Sequence, residues 1–151
     1  MAEILERNGV VFDFSKVRTM TYFAYCSNIK HFPELDFSSA QAITGSFEHC
    51  PNLETIDKLV YSSDGSQIPH SYYESPKLAN IVIEGVIGKS FDLSTNTALT
   101  HDSLMSFINA LKDYSADTSG TTYKLSMGST NIAKLTEDEL NIIKSKGWTY
   151  A

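Results

Sequence analysis

A short motif recurs through the front half of the chain, and repeated units of this size can bury their apolar faces only against one another. Phe23-Ala24-Tyr25-Cys26-Ser27-Asn28-Ile29 returns 24 residues later as Phe47-Glu48-His49-Cys50-Pro51-Asn52-Leu53. It returns after a further 25 residues as Tyr72-Tyr73-Glu74-Ser75-Pro76-Lys77-Leu78. The common pattern is an aromatic, a small residue three positions on, then a polar and an aliphatic residue. Phe32, Ile56 and Ile81 each follow that aliphatic by three positions. The pattern then reaches Leu35-Asp36-Phe37-Ser38 and Leu59-Val60-Tyr61-Ser62, and Phe12-Asp13-Phe14-Ser15 resembles the same strand one unit earlier.

The back half repeats at a longer period. Ser94-Thr95-Asn96-Thr97-Ala98-Leu99-Thr100 matches Ser129-Thr130-Asn131-Ile132-Ala133-Lys134-Leu135-Thr136, one inserted residue moving the offset from 35 to 36. Phe91-Asp92-Leu93 and Leu125-Ser126-Met127 precede the two copies. Leu104, Phe107, Ile108 and Leu111 then follow at helical spacing, as do Leu140 and Ile143. Thr136 with Glu139 predicts a capping box, Gly147 a helix stop, and Trp148-Thr149-Tyr150 a closing strand.

The expectation is an α/β chain: a short solenoid with a small parallel sheet, irregular returns at the front and helical returns at the back. It forms one domain over 1–151, with short units over 10–90 and helical units over 91–151. The helical end serves as the cap. The alternative is a compact α+β domain whose similarities are accidental. Seventeen aromatics among 151 residues supply a core, so disorder is not expected. A net charge of −6 argues against a nucleic-acid partner. No apolar run is long enough to span a membrane, and the first twenty residues lack the apolar core of a secretory signal.

The motif as it stands in FAYCSNI and FEHCPNL, decaying to YYESPKL, resembles BspA-type leucine-rich repeats. The stretch from ALTHDSLMSFINALKDY through KLSMGSTNIAKLTEDELNIIKSKGWTYA resembles the closing segment of leucine-rich-repeat proteins of gut Firmicutes and their phages, among them phage structural and tail proteins. The resemblance covers roughly residues 10–151, with about three front units. It implies a non-enzymatic recognition or assembly role. The expected form is a virion component made in the host cytoplasm, on a tail fibre, baseplate or capsid surface. The alternative is a fragment of a bacterial cell-surface adhesin; a small hydrolase ranks last.

Individual residues add no chemistry to that reading. Cys26 and Cys50 occupy equivalent positions and are expected in a buried ladder of small apolar groups, with a bridge or zinc as lesser alternatives. His31, His49, His70 and His101 show no metal-ligand spacing, and no local motif frames a nucleophile. Glu137, Asp138 and Glu139 suit the first turn of a helix. Asp64-Gly65-Ser66 reads as a turn and Gly85-Val86-Ile87-Gly88 as a flexible bend; neither is a phosphate loop. No catalytic, cofactor-binding or metal residue is assigned. Phe23, Phe47 and Tyr72 are expected in the core. Tyr22, Tyr25 and the stretch His70-Ser71-Tyr72-Tyr73 are candidates for exposed contact chemistry. Neither end of the repeat array carries a dedicated polar cap. One or both ends are therefore expected to be covered by another copy or a larger protein partner. A host-surface glycan or protein is the other partner considered.

Overall fold

The computed structural model describes residues 16–19, 24, 28–41, 45–67, 69 and 72–151. The expectations for residues 1–15, Tyr22, Phe23, Tyr25, Cys26, His70 and Ser71 lie outside them. The structure is mixed α/β, with two small open parallel sheets and, among the described residues, three helices.

The front sheet contains β1 (His31–Phe32), β2 (Leu35–Asp36), β3 (Thr55–Val60) and β4 (Asn80–Glu84). Its register is the register of the sequence repeat. His31 pairs with Thr55 and Thr55 with Asn80; Phe32 pairs with Ile56 and Ile56 with Ile81. Leu35 and Asp36 pair with Leu59 and Val60 on the same side of β3, opposite β4. Pro33, which has no N–H to give a ladder, lies in the break between β1 and β2. On the other side of β3 the register slips, so that Asp57 and Lys58 together oppose Val82. This bulge absorbs a one-residue difference in repeat length and turns two charged side chains of β3 away from the core. Phe32, Leu35, Phe37, Ile56, Leu59, Tyr61, Ile81 and Ile83 are buried. Behind them the recurrent aromatics stack, Phe47 on Tyr72 at 5.8 Å between centroids and 4° between planes. Both are fully buried, as expected for core positions.

The back sheet is β5 (Phe91–Asp92), β6 (Tyr123–Ser126) and β7 (Trp148–Tyr150), in that order. Phe91 pairs with Leu125 and Leu125 with Tyr150. Between β5 and β6 lies α1 (His101–Ala110); α2 (Gly128–Ile132) and α3 (Glu137–Ser145) precede β7. Thr100 caps α1 by accepting from the Ser103 N–H, and its Leu104, Phe107 and Ile108 are buried. The predicted capping box of Thr136 and Glu139 opens α3, and Gly147 follows it at φ 79°. Helix α1 lies along the outer edge of β4, where the Ile81 and Ile83 N–H groups donate to the Ser103 and Ser106 hydroxyls at 2.9 and 2.7 Å. Two serines thus satisfy donors that a further strand would otherwise take.

Cys50 is buried in the core, as expected, but the small position of the repeat does more than fill space. It is a ladder of side-chain donors, each reaching backbone carbonyls of the preceding repeat. Cys50 is a buried thiol, not half of a disulfide, and its Sγ–H points to Ala24 O at 2.8 Å. Ser75 Oγ donates to Phe47 O at 2.6 Å and accepts from the Cys50 N–H at 3.0 Å. Asn96 Nδ2 donates to Tyr72 O and Ser75 O at 2.8 and 3.0 Å. Asn131 Nδ2 donates to Leu93 O, Asn96 O and Met127 O at 3.1, 3.3 and 3.2 Å. Ser75, Asn96 and Asn131 are all fully buried.

The stretch Gly85-Val86-Ile87-Gly88, read from sequence as a flexible bend, is a tightly held crossing. Val86 N–H donates to Ser62 O, Ile87 N–H to Ala110 O, and the Tyr114 hydroxyl to Gly88 O. A Cβ on Gly88 would overlap Gly65 O, and one on Gly85 would overlap Tyr61 O. These glycines serve close backbone approach.

Two stability predictions follow from this packing. Replacing Asn131 by Ala strands buried carbonyls and lowers the unfolding free energy by about 1–3 kcal/mol, read by urea denaturation. Gly88→Ala costs about 3 kcal/mol by forcing backbones apart. A wild-type midpoint in Asn131→Ala would remove the ladder from the account of stability.

Candidate functional site

Alternation in the front sheet leaves an outward face whose side chains the core does not need. It carries His31 and Glu34, then Asp57 and Lys58 at the bulge, then Val82 and Glu84. The Lys58 ammonium lies between two carboxylates, 3.0 Å from Glu34 and 3.3 Å from Glu84, so one charge ties β3 to β4 and to the break between β1 and β2. The Glu34 and Glu84 carboxylates hold its pKa above the ordinary lysine value. His31 Nε2 is 2.8 Å from Asp57 Oδ1. Val82, 51% exposed, is the apolar point on this polar face.

A second surface is built by the turns that carry the donor ladder. His49 and Glu74 stand immediately before Cys50 and Ser75, and both have positive φ, 53° and 55°. That conformation costs a non-glycine residue on the order of 1 kcal/mol, yet two successive repeats adopt it. The turns are tied side by side, with His49 N–H donating to Tyr73 O and Glu74 N–H to Thr95 Oγ1. His49 Nδ1 is 2.7 Å from Glu74 Oε2, and its ring meets Tyr73 edge-on at 5.8 Å and 85°. Tyr73 is 50% exposed. Its hydrogen bond to the Glu74 carboxylate raises the phenol pKa above its ordinary value. Three residues further along each turn, Asn52 Nδ2 donates to Asn28 Oδ1 at 3.4 Å, and Lys77 Nζ donates to Asn52 Oδ1 at 2.9 Å.

The residues weighed from the sequence are dispersed over these surfaces. His31 lies on the sheet face and His49 on the turn ridge. His101, in the first turn of α1, has Nε2 2.8 Å from Glu139 and Nδ1 3.4 Å from Asp102. With both ring nitrogens against carboxylates, His101 is not arranged to take a proton from a serine. Glu137 and Asp138 sit in the first turn of α3, where they complement the helix dipole, while Glu139 also closes the capping box. Asp64 accepts from Ser66 N–H and Ser62 Oγ in its turn, which lowers its pKa to about 2. Among the described residues no group of three or more His, Cys, Asp or Glu side chains could hold a metal ion. Nor is any helix there long and apolar enough to cross a membrane.

Sequence reasoning missed two features. The His49–Glu74 pair was visible as equivalent turn positions, each directly before the small residue, but their mutual contact depends on the turn conformation. The Glu34–Lys58–Glu84 tie was hidden because the bulge shifts Lys58 out of simple alternation.

The imidazole between α1 and α3 gives a pH prediction. Glu139 first, then Asp102, raises the His101 pKa above its ordinary 6.5. Its contribution is therefore complete below the unfolded-state value and is lost as pH rises through the folded one. The Glu139 pKa is lowered, first by the Thr136 N–H and then by His101, so its contribution is lost only as pH falls through that depressed value. An NMR titration of His101 is expected to show a midpoint above 6.5 that moves down in Glu139→Gln. An unchanged midpoint in that variant would show that the contact is not made in solution.

Scans against family models, curated proteins and solved structures find no significant match to the chain.

Proposed function

We propose that the chain is a short solenoid of the leucine-rich-repeat type, acting as a non-enzymatic recognition or assembly protein. In its most concrete form it is a component of a phage particle, placed on a tail fibre, baseplate or capsid surface. The observation that carries the reading is the donor ladder in register with the strands. Residues at one repeat position, Cys50, Ser75, Asn96 and Asn131, each bind carbonyls of the repeat before. Strand partners meanwhile advance by 24 or 25 residues in the front sheet. A scaffold held in this way leaves its outward strand and turn positions available for contact. The sheet face around Lys58 and Val82 and the ridge around Tyr73 are the two surfaces such a scaffold offers to a protein or a host-surface glycan.

The placement is tested by fractionating lysates of the cells that encode the chain and following its peptides by mass spectrometry. Co-banding with density-purified phage particles is the expected result. Recovery in the washed cell-envelope fraction would move the assignment to a cell-surface adhesin. Recovery only as dispersed protein in the cell interior would overturn the virion assignment.

A further inference from the structure

We infer that the joint between the turns at 72–78 and 93–99 is a binding site for a monovalent cation of potassium or ammonium size, held by Asn96 Oδ1 and the backbone oxygens of Pro76 and Leu78. The inference is independent of the recognition role. The two turns make the same internal hydrogen bonds. Ser75 N–H donates to Tyr72 O and Leu78 N–H to Ser75 O, at 3.1 and 3.2 Å. Asn96 N–H donates to Leu93 O and Leu99 N–H to Asn96 O, at 3.0 and 3.2 Å. Each turn is also bridged by the next asparagine in the same way, Asn96 Nδ2 binding Tyr72 O and Ser75 O, and Asn131 Nδ2 binding Leu93 O and Asn96 O. Pro76 and Leu78 therefore correspond to Thr97 and Leu99, and Asn96 to Asn131. At the following joint one ammonium, Lys134 Nζ, sits on three oxygens: Thr97 O at 2.8 Å, Leu99 O at 2.6 Å and Asn131 Oδ1 at 3.0 Å. The corresponding three at the earlier joint are Pro76 O, Leu78 O and Asn96 Oδ1.

At the earlier joint the chain supplies no donor of its own. Lys134 is the residue that the first copy lacks. Lys77, the lysine of the 72–78 turn, gives its ammonium to Asn52 Oδ1 in the repeat before. Asn96 Oδ1 is buried without a hydrogen-bond partner, and the two carbonyls bound to Nδ2 fix which way the amide points. Among the described residues no group donates to Pro76 O or Leu78 O. A set of acceptors with no donor is matched by a cation, and a buried one is costly to leave unmatched. The oxygens also select the ion. They are one amide and two peptide oxygens, with no carboxylate, which suits a single charge. Calcium and magnesium favour carboxylates and sit closer, at about 2.3–2.6 Å and about 2.0–2.1 Å, whereas the oxygens of the following joint stand 2.6–3.0 Å from the ammonium. There the inserted residue lengthens the turn that admits the charge. At the earlier joint Pro76, Thr97 and Ala98 are exposed, so the ion enters from the surface with a small outward shift of Thr97 and Ala98.

The test follows thermal unfolding of the full chain in potassium, ammonium and tetramethylammonium chloride at equal ionic strength, with the Asn96 side-chain amide observed by NMR in the same salts. Potassium or ammonium is expected to raise the midpoint by about 2 °C or more over tetramethylammonium, which is too bulky for the site. The same ion is expected to shift the Asn96 Nδ2 resonances saturably. Inserting a lysine between Ala98 and Leu99 copies the Ala133-Lys134-Leu135 sequence and supplies the ammonium from the chain itself. That variant is expected to lose both responses. Should it not fold, Lys134→Ala is read in its place. It strips the donor from the equivalent oxygens of the following joint, so the ion is expected to shift the Asn131 Nδ2 resonances as well. Equal midpoints in the three salts would assign the Asn96 oxygen to a buried water and overturn the proposal. A midpoint response that leaves the Asn96 resonances unmoved, one that survives the lysine insertion, or no added shift at Asn131 in Lys134→Ala would each overturn it too.

Discussion

Buried backbone carbonyls at the repeat turns require hydrogen bonds, and the rest of the structure is arranged around supplying them. A carbonyl turned into the interior toward the next repeat costs on the order of 1–3 kcal/mol if left unsatisfied. The chain meets the demand with one donor per repeat, and the donor changes with the turn it must bridge. Cys50 and Ser75 carry single donors and each reaches a carbonyl of the repeat before. Asn96 and Asn131 have two N–H groups on one nitrogen and reach two carbonyls of the preceding turn. The change to asparagine falls where the chain leaves the front sheet for the helical segments. Once these bonds fix the spacing between neighbouring turns, the Phe47–Tyr72 stack and the inward strand residues meet at packing distance.

The register of the front sheet was legible because it is the repeat itself. Phe32, Ile56 and Ile81 share one spacing from the aliphatic before them, and the backbone pairs them in that order. The elements of the back were legible for a different reason. Thr136 with Glu139, Gly147 and the periodic Leu104, Phe107 and Ile108 are local signals, and local signals survive in tertiary context. What escaped was chemistry that depends on a neighbour. Cysteine at the small position looks apolar until a carbonyl stands opposite its thiol. Glycines separated by two residues look flexible until another backbone occupies the space where their side chains would be. The asparagines of the matching Ser-Thr-Asn triplets recur, yet nothing within a triplet says that its third member is buried.

The insertion in the second back copy shows how a change in repeat length is accommodated. The extra residue is Lys134. Its ammonium binds Thr97 O and Leu99 O at 2.8 and 2.6 Å and the Asn131 amide oxygen at 3.0 Å. In the first copy, which lacks that lysine, the Asn96 amide oxygen is buried without a hydrogen-bond partner. Lys146 works in the same manner at the end of α1, donating to Ile108 O, Asn109 O and Leu111 O at 3.0, 2.7 and 3.0 Å. Positive charge at a helix C-terminus is favourable in itself, and here it also satisfies carbonyls that α1 cannot. Burial lowers the pKa of both lysines. The back half thus continues the front half's device with a longer, charged donor.

This division of labour locates where the chain is free to vary. At the ladder position the residues differ, but all four donate. One position earlier stand His49 and Glu74 in the front half and Thr95 and Thr130 in the back, an imidazole, a carboxylate and two hydroxyls. The carbonyl requirement fixes the chemistry of the first set and leaves the second unconstrained. The same holds across the front sheet. Inward residues are uniformly large and apolar, whereas the outward ones run from His31 and Glu34 through Asp57 and Lys58 to Val82 and Glu84. Stability therefore resides in the positions that repeat, and any binding specificity must come from those that do not. Those positions lie on the sheet face and the turn ridge, and at both places the scaffold holds side chains in contact: Lys58 between two glutamates, His49 against Glu74 and Tyr73. Fixed side chains lose less conformational entropy when a partner arrives, so, on the recognition role proposed above, the interactions that order these surfaces would also prepare them for contact.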